Sequence, residues 1–330
     1  MHRFIVKSVL AGLMALAAVS AAPAAANPVG LNGQIVFARF DPLLEDTLIY
    51  TVNPDGSHER QVLPLPVQCP HWSPDGTRIV TCGLPPSGAT TIINPDDGSY
   101  RTLPMPDPDH LFTACPLLSP DGSRLACGGF GEDRFGNPTD PSLNGIYTIR
   151  SSDGGGLTRM TSNPGGEDMV GEYSPNGKRL VFARFDENED PVGLYVTKTN
   201  GTHLRAITSP GMIITSSGDW SPQGNAIVFS RRVSADRRQS LWVVQSDGSG
   251  LREIVVEGQP ACGGPIAEPG SRSCFQPRWS PNGTKIVFSI FSDATGENVY
   301  TANSDGTHVT QVTHGGDDEL PDWGTHPLAR

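Results

Sequence analysis

The chain ends on "DDELPDWGTHPLAR" (317–330). Its residues Pro321 to Gly324 look like the opening of a unit seen five times earlier, as in "CPHWSPDG" (69–76) and "QPRWSPNG" (276–283). A unit that opens and then stops needs its remainder elsewhere in the chain. The five complete anchors are Trp72-Ser73-Pro74-Asp75-Gly76, Leu118-Ser119-Pro120-Asp121-Gly122, Tyr173-Ser174-Pro175-Asn176-Gly177, Trp220-Ser221-Pro222-Gln223-Gly224 and Trp279-Ser280-Pro281-Asn282-Gly283. Their serines lie 46, 55, 47 and 59 residues apart, the spacing of repeats that each form one small structural unit.

Each anchor leads into a β-rich run such as "RLVFAR" or "KIVFSI", then a second run such as "GLYVTKT" or "SLWVVQS". The second run ends in Asp/Asn-Gly (Asp97-Gly98, Asp153-Gly154, Asn200-Gly201, Asp247-Gly248, Asp305-Gly306), and a short last run follows. This predicts four strands in a meander. Proline presets φ in the first turn and glycine closes it, while Asp/Asn-Gly tolerates positive φ in the third. One such sheet cannot bury the aromatic before Ser-Pro, so the sheets must stack face to face.

At the other end, "GQIVFARFD" (33–41) reads as a second strand, "TLIYTVNPDG" (47–56) as a third and "RQVL" as a fourth. The missing first strand is the orphan "LPDWG". The expectation is therefore an all-β, six-bladed β-propeller of four-stranded blades, closed by pairing the C-terminal strand with the N-terminal blade, which removes the exposed sheet edges.

These residues carry a family resemblance. W-S-P-D-G-x-x-[IL]-x-F followed by I-Y-x-x-x-x-D-G-[ST] resembles the WD40-like (PD40) repeats of the TolB-type six-bladed propellers, over essentially all of residues 31–327. Leu118 departs from the aromatic anchor, and Trp323-Gly324-Thr325 lacks Ser-Pro. In TolB an α/β domain precedes the propeller, and the few residues between Ala26 and the first strand leave no room for one. The resemblance implies a secreted propeller that binds protein or ligand, without carrying over TolB's role in envelope maintenance.

The first 26 residues read as a secretory signal peptide: Arg3 and Lys7, an apolar run from Ser8 to Val19, then Ala24-Ala25-Ala26 before the cut. Residues 27–330 are then one propeller domain, secreted or periplasmic, and no stretch is long enough to span a bilayer. The formal net charge is −11, and −13 once Arg3 and Lys7 are removed. A surface of that sign repels phosphate backbones, so nucleic acid is not expected as a partner.

Six cysteines in an exported chain point to disulfides. Cys262 and Cys274 flank one inserted loop and are the favoured pair. Cys69 with Cys82 and Cys115 with Cys127 each bracket an S-P-D-G hairpin. Cys127 aligns with Thr81 rather than Cys82, so the two hairpins cannot be bridged identically, and free buried thiols stay open for these four.

In a meander the tight S-P-x-G and D-G turns fall on one face. The other face takes the insertions 104–114, 128–145 and 256–276, which marks it as the binding face. Candidate anchors there are His110, Phe112, Phe130, Arg134, Phe135 and Phe275, aromatic and arginine types enriched at binding hot spots. His71, His110, His314 and His326 are placed towards that face, and His58, His203 and His308 beside the D-G turns. Chemistry is thin: there is no G-x-S-x-G, and repeated serines are turn residues. Asp186, Asn188 and Asp190 copy half of a calcium loop, but Pro191 and Thr197 break it, so calcium is the only candidate cofactor and none is expected. The residues before the anchors (His71, Leu117, Glu172, Asp219, Arg278, Asp322) predict a polar ring with ion pairs between blades. The expected function is noncatalytic: a monomer binding an extracytoplasmic protein, peptide or glycan. The alternative is a channel-site lyase or hydrolase acting on a saccharide, metal-dependent or not.

Overall fold

The computed structural model describes residues 30–84, 89–133, 135–256, 262–267, 270–315 and 317–329, with the backbone alone at residues 83, 84 and 115. Six antiparallel sheets form the blades of a propeller. Blade one joins both ends of the chain: Asp318–Trp323 is its innermost strand, followed outward by Ile35–Asp41, Asp46–Val52 and Arg60–Gln61. Ile35 pairs with Trp323 and Arg39 with Asp318. The other innermost strands are Gln68–Trp72, Phe112–Leu118, Asp168–Tyr173, the broken pair Ile213–Ile214 and Asp219–Trp220, and Ser273–Trp279.

The anchors do what their size requires. Apolar clusters lie between neighbouring blades, and each anchor packs into the one shared with the preceding blade. Trp72 joins Val36 and Ile49 of blade one, Tyr173 joins Leu117 and Ile146 of blade three, and Trp323 joins Val287 and Val299 of blade six. Leu118 does the same against Val80 and Ile92, so the anchor position needs apolar bulk rather than an aromatic ring.

The serine of each anchor is consumed by its turn. Ser73 Oγ donates to Asp75 Oδ1 (2.6 Å) and accepts from the Arg78 amide (2.9 Å). Ser119 and Ser280 repeat the pattern with Asp121 and Asn282. In blade five, where Gln223 replaces the Asp or Asn, Asn225 Oδ1 accepts from Ser221 instead (3.0 Å).

The odd closing anchor has a steric cause. A Cβ on Gly324 would lie 2.3 Å from the Trp72 ring. Beyond it the tail stays on the tight-turn face, where Gly33 N donates to Gly324 O (3.0 Å) and Ala329 N to Asn53 Oδ1 (3.0 Å). His326, expected near the loop face, is therefore on the opposite one. It stacks on Trp72 at 4.9 Å, with Nδ1 2.9 Å from Gly76 O, because strand 318–323 exits towards the turns. Restoring the repeat's serine with Gly324→Ser should lower stability by about 1–3 kcal/mol, the cost of overpacking a tight contact. Chemical denaturation of wild type and variant checks this; an unchanged midpoint would contradict it.

Candidate functional site

The inserted loops share one face and pair with each other. Thr139 Oγ1 donates to His110 O (2.6 Å), and the amides of Arg238 and Ile266 close onto Gly264 O and Asp236 O (2.8 Å each). Cys262 and Cys274 are bonded at the base of the last loop, with Cα atoms 5.5 Å apart. Inside this rim, a cavity of about 410 Å³ opens at the mouth of the central channel. Its wall includes Phe130, Met169, Val170, Leu320 and Pro321, and its floor includes His71 and Arg278.

The wall is shaped by bulges. The innermost strands slip register between Gln68 and His71, Ala114 and Leu117, Val170 and Glu172, and Phe275 and Arg278. Cys69, Gln276 and Leu320 adopt left-handed φ of 52°, 53° and 52°, each three residues before its tryptophan, and all three line the cavity. Such strain costs about 1–3 kcal/mol per residue and gathers at ligand sites. Gln276 Oε1 secures the irregularity at Leu320, where strand Asp318–Trp323 also slips register, by accepting from Leu320 N (2.8 Å).

The bulge also explains a difference from the sequence reading. Cys82 faces Gln68 rather than Cys69. Cys69 and Cys82, expected as a disulfide, are free thiols, the side chain of one hydrogen-bonded to the other. That bond holds the Cys69 thiol below its ordinary pKa and pushes the Cys82 thiol well above it. Iodoacetamide should therefore modify Cys69 before Cys82, as read by peptide mass mapping; a linked 69–82 peptide would contradict this. Cys127 is disulfide-bonded, while the side chain of Cys115, its expected partner, lies outside the described residues.

The ring before the anchors closes the channel below the cavity. Arg278 Nη1 lies 3.9 Å from Glu172 and 3.8 Å from Asp219, and His71 Nδ1 lies 3.9 Å from Asp322. The acids also tie blades together: Asp322 Oδ2 accepts from Trp72 N (2.7 Å), and Asp219 Oδ2 from Trp279 N (2.6 Å). Burial pushes Asp219 up to about 7 and raises Asp322; burial and then the Asp219 charge raise Glu172. Burial, then the Arg278 charge, holds His71 well below the usual range. Near the loop face, burial and then Glu319 push Glu297 up to about 8.

These raised carboxyls set a sign. The folded state keeps protons that the unfolded chain releases near pH 4, so stability falls as pH rises through about 7 to 8. The melting temperature should be higher at pH 6 than at pH 8.5, with a smaller difference in Asp219→Asn. A melting temperature that rises across that range would contradict the ring's electrostatics.

The predicted site residues separate into two groups. Phe130 lines the cavity, and Phe112 packs against it with ring centres 6.3 Å apart. Phe275 is half-buried on its strand, facing Ser289 across the register. His110 is exposed and bonds Asp107 (3.0 Å), and Phe135 is 78% exposed on the outer rim, so neither reaches the cavity. Arg134 lies outside the described residues. His58, His203 and His308 adopt φ of 56°, 60° and 54° beside the D-G turns, as turn residues. The D-x-N-x-D spacing serves a turn: Asp186 Oδ1 accepts from the amides of Asn188 (2.8 Å) and Asp190 (3.1 Å). Among the described residues, no group of three His, Cys, Asp or Glu is placed to hold a metal ion, and no helix is long and apolar enough to cross a membrane.

Missed from sequence were two part-buried arginines, each paired with a buried aspartate, that brace the loop-face end of blades one and four. Arg39 pairs with Asp318 and Glu59, and Arg184 with Asp168. The repeated "FARFD" was the available signal: Arg39 stacks on Phe37 and Tyr50, and Arg184 on Phe182 and Tyr195.

Solved structures share this architecture. The chain superposes on TolB from Acinetobacter baumannii with a TM-score of 0.64 and 18% identity, covering 88% of this chain and 66% of that one. A TolB-assigned structure from Agrobacterium tumefaciens gives 0.62 and 20%, covering 91% and 94%. An oligogalacturonate lyase in complex with manganese gives 0.54 and 11%, covering 88% and 75%. The chain thus spans just under two thirds of the first of these. No family model and no curated protein matches the sequence. At these identities the likeness is one of fold: the chain has the architecture of the TolB-type six-bladed propellers.

Proposed function

We propose that this is an extracytoplasmic binding propeller that takes part of a protein, peptide or glycan into the loop-face mouth of its channel. The observation that carries this reading is the cavity of about 410 Å³, within the size range of ligand sites, walled by Phe130, Met169 and three strained bulge residues. The opposite face carries wider clefts, of about 710 Å³ between blades four and five and about 890 Å³ between blades one and two, but they lie among turns whose serines are engaged with the turn's own Asp or Asn, and they lack the strained bulges of the loop-face cavity. The Cys262–Cys274 disulfide fits an oxidising compartment.

A photo-crosslinking residue tests the face directly. Placed at Phe130 or Met169 in the source organism, it should yield a discrete adduct. Placed at Lys178, beside the turn of blade four, it should yield none. Adducts from position 178 alone would overturn the assignment.

A further inference from the structure

The channel floor is polarised. Arg278 and His71 face the loop-side cavity, whereas Glu172, Asp219 and Asp322 line a smaller cavity of about 100 Å³ on the turn side. A ligand entering from the loops therefore meets the donors first and the acids only behind them. Two of those donor atoms, Arg278 Nη1 and His71 Nδ1, are buried and have no hydrogen-bond partner among the described residues. Their nearest carboxylates stand at 3.8–3.9 Å, close enough for charge balance and too far for a hydrogen bond. Those two atoms turn towards the acids, so the cavity meets the remaining exposed part of each side chain, 15% of Arg278 and 13% of His71, and a guanidinium left without acceptors gains from an incoming oxygen there.

We propose that the cavity takes a ligand bearing a carboxylate, whose oxygens accept from the cavity side of the Arg278 guanidinium beside the His71 ring, while an apolar neighbouring group rests on Phe130, Met169 and Leu320. The inference rests on the loop-face reading above and names the chemistry of that site. A planar guanidinium matches a planar carboxylate. A single negative charge suits the floor better than a doubly charged phosphate, because three acids stand behind the one arginine.

The titratable groups that bear on the ligand are Asp322 of blade one, His71, Cys69 and Cys82 of blade two, Glu172 and the Arg184-paired Asp168 of blade four, Asp219 of blade five and Arg278 of blade six. Binding should weaken from pH 6 to pH 8 as Asp219 loses its proton at about 7. His71, held well below its usual range, stays neutral across that interval.

Calorimetric titration of the full-length exported protein, in a buffer free of carboxylates, tests this with three probes: hexanoate, the dipeptide Ala-Leu and its C-terminal amide, with inorganic phosphate as a fourth. Hexanoate or Ala-Leu should bind saturably, with the amide weaker by about tenfold or more, the loss expected for a charge-assisted contact. Arg278→Met should remove that preference. Because the arginine also balances the ring acids, Met169→Trp provides a second variant: it fills the mouth without touching the ring and should abolish binding at an unchanged melting temperature. Equal affinity for acid and amide would overturn the carboxylate assignment, as would phosphate binding more tightly than either acid. No saturation by any acid up to about 10 mM would also overturn it. Crosslinking at Phe130 would still report on the binding face in each of these cases.

Discussion

Removing residues 318–330 is expected to abolish the soluble monomer. Strand Asp318–Trp323 is the innermost strand of blade one and supplies Trp323 to the cluster shared with blade six. Without it, Ile35 and Arg39 lose their ladder partners, Trp72 N loses its bond to Asp322, and the Trp323 Nε1 bond to Gly33 O disappears. The edge of strand Ile35–Asp41, carrying the fully buried Val36 and Phe37, would face solvent and template association between chains. The loss is comparable with the whole stability of a domain, about 5–15 kcal/mol. Size-exclusion chromatography and thermal melting of the truncated protein check this. A monomer with the wild-type melting temperature would show that the ring is not closed by this strand.

The second largest effect is expected at Arg39. Its guanidinium makes a two-pronged contact with Asp318, whose side chain is 0% exposed, and reaches Glu59 on the outer side. The faces of Phe37 and Tyr50, 5.2 and 4.7 Å from the guanidinium carbon, hold it in plane. Arg39→Met leaves a fully buried carboxylate without its counter-charge, which costs about 3–5 kcal/mol. The equivalent Arg184→Met should cost less, because Asp168 keeps bonds from Thr161 Oγ1 (2.6 Å) and Asn163 Nδ2 (3.3 Å). Asp318→Asn should also cost less, since Arg39 retains Glu59. Urea unfolding ranks the three variants; an Arg39→Met midpoint equal to that of Arg184→Met would contradict the account.

The fold was legible because its signals are local and repeated. Ser-Pro-x-Gly and Asp-Gly each fix a turn by themselves, and "LPDWG" at one end matched the strand missing at the other. The ring of His71, Glu172, Asp219, Arg278 and Asp322 could also be read, since one position before each anchor falls at the same depth in every blade. The cavity was less legible. A bulge adds one residue to a strand, and nothing in the alternation around Cys69, Gln276 or Leu320 announces it. Bracketing the S-P-D-G hairpin suggested a Cys69–Cys82 bridge and left free thiols open; the bulge sets Cys82 opposite Gln68, and both thiols are free. Phe130 was found because it ends a strand at the loop face. His110 and Phe135 sit in insertions that bond to each other and to themselves, and their distance from the channel is a property of tertiary packing. The Arg39–Asp318 pair joins segments 279 residues apart, so only the shared "FARFD" hinted that something held both arginines alike.

Hydrogen–deuterium exchange on the protein with and without its captured partner tests most directly the claim that the loop face is where the molecule binds. The account predicts new protection in the backbone around the cavity, at 128–131, 167–171, 215–218 and 276–278, and no change in the S-P-x-G turns at 73–77, 174–178 and 221–225. Protection confined to those turns, with the cavity segments unchanged, would contradict it.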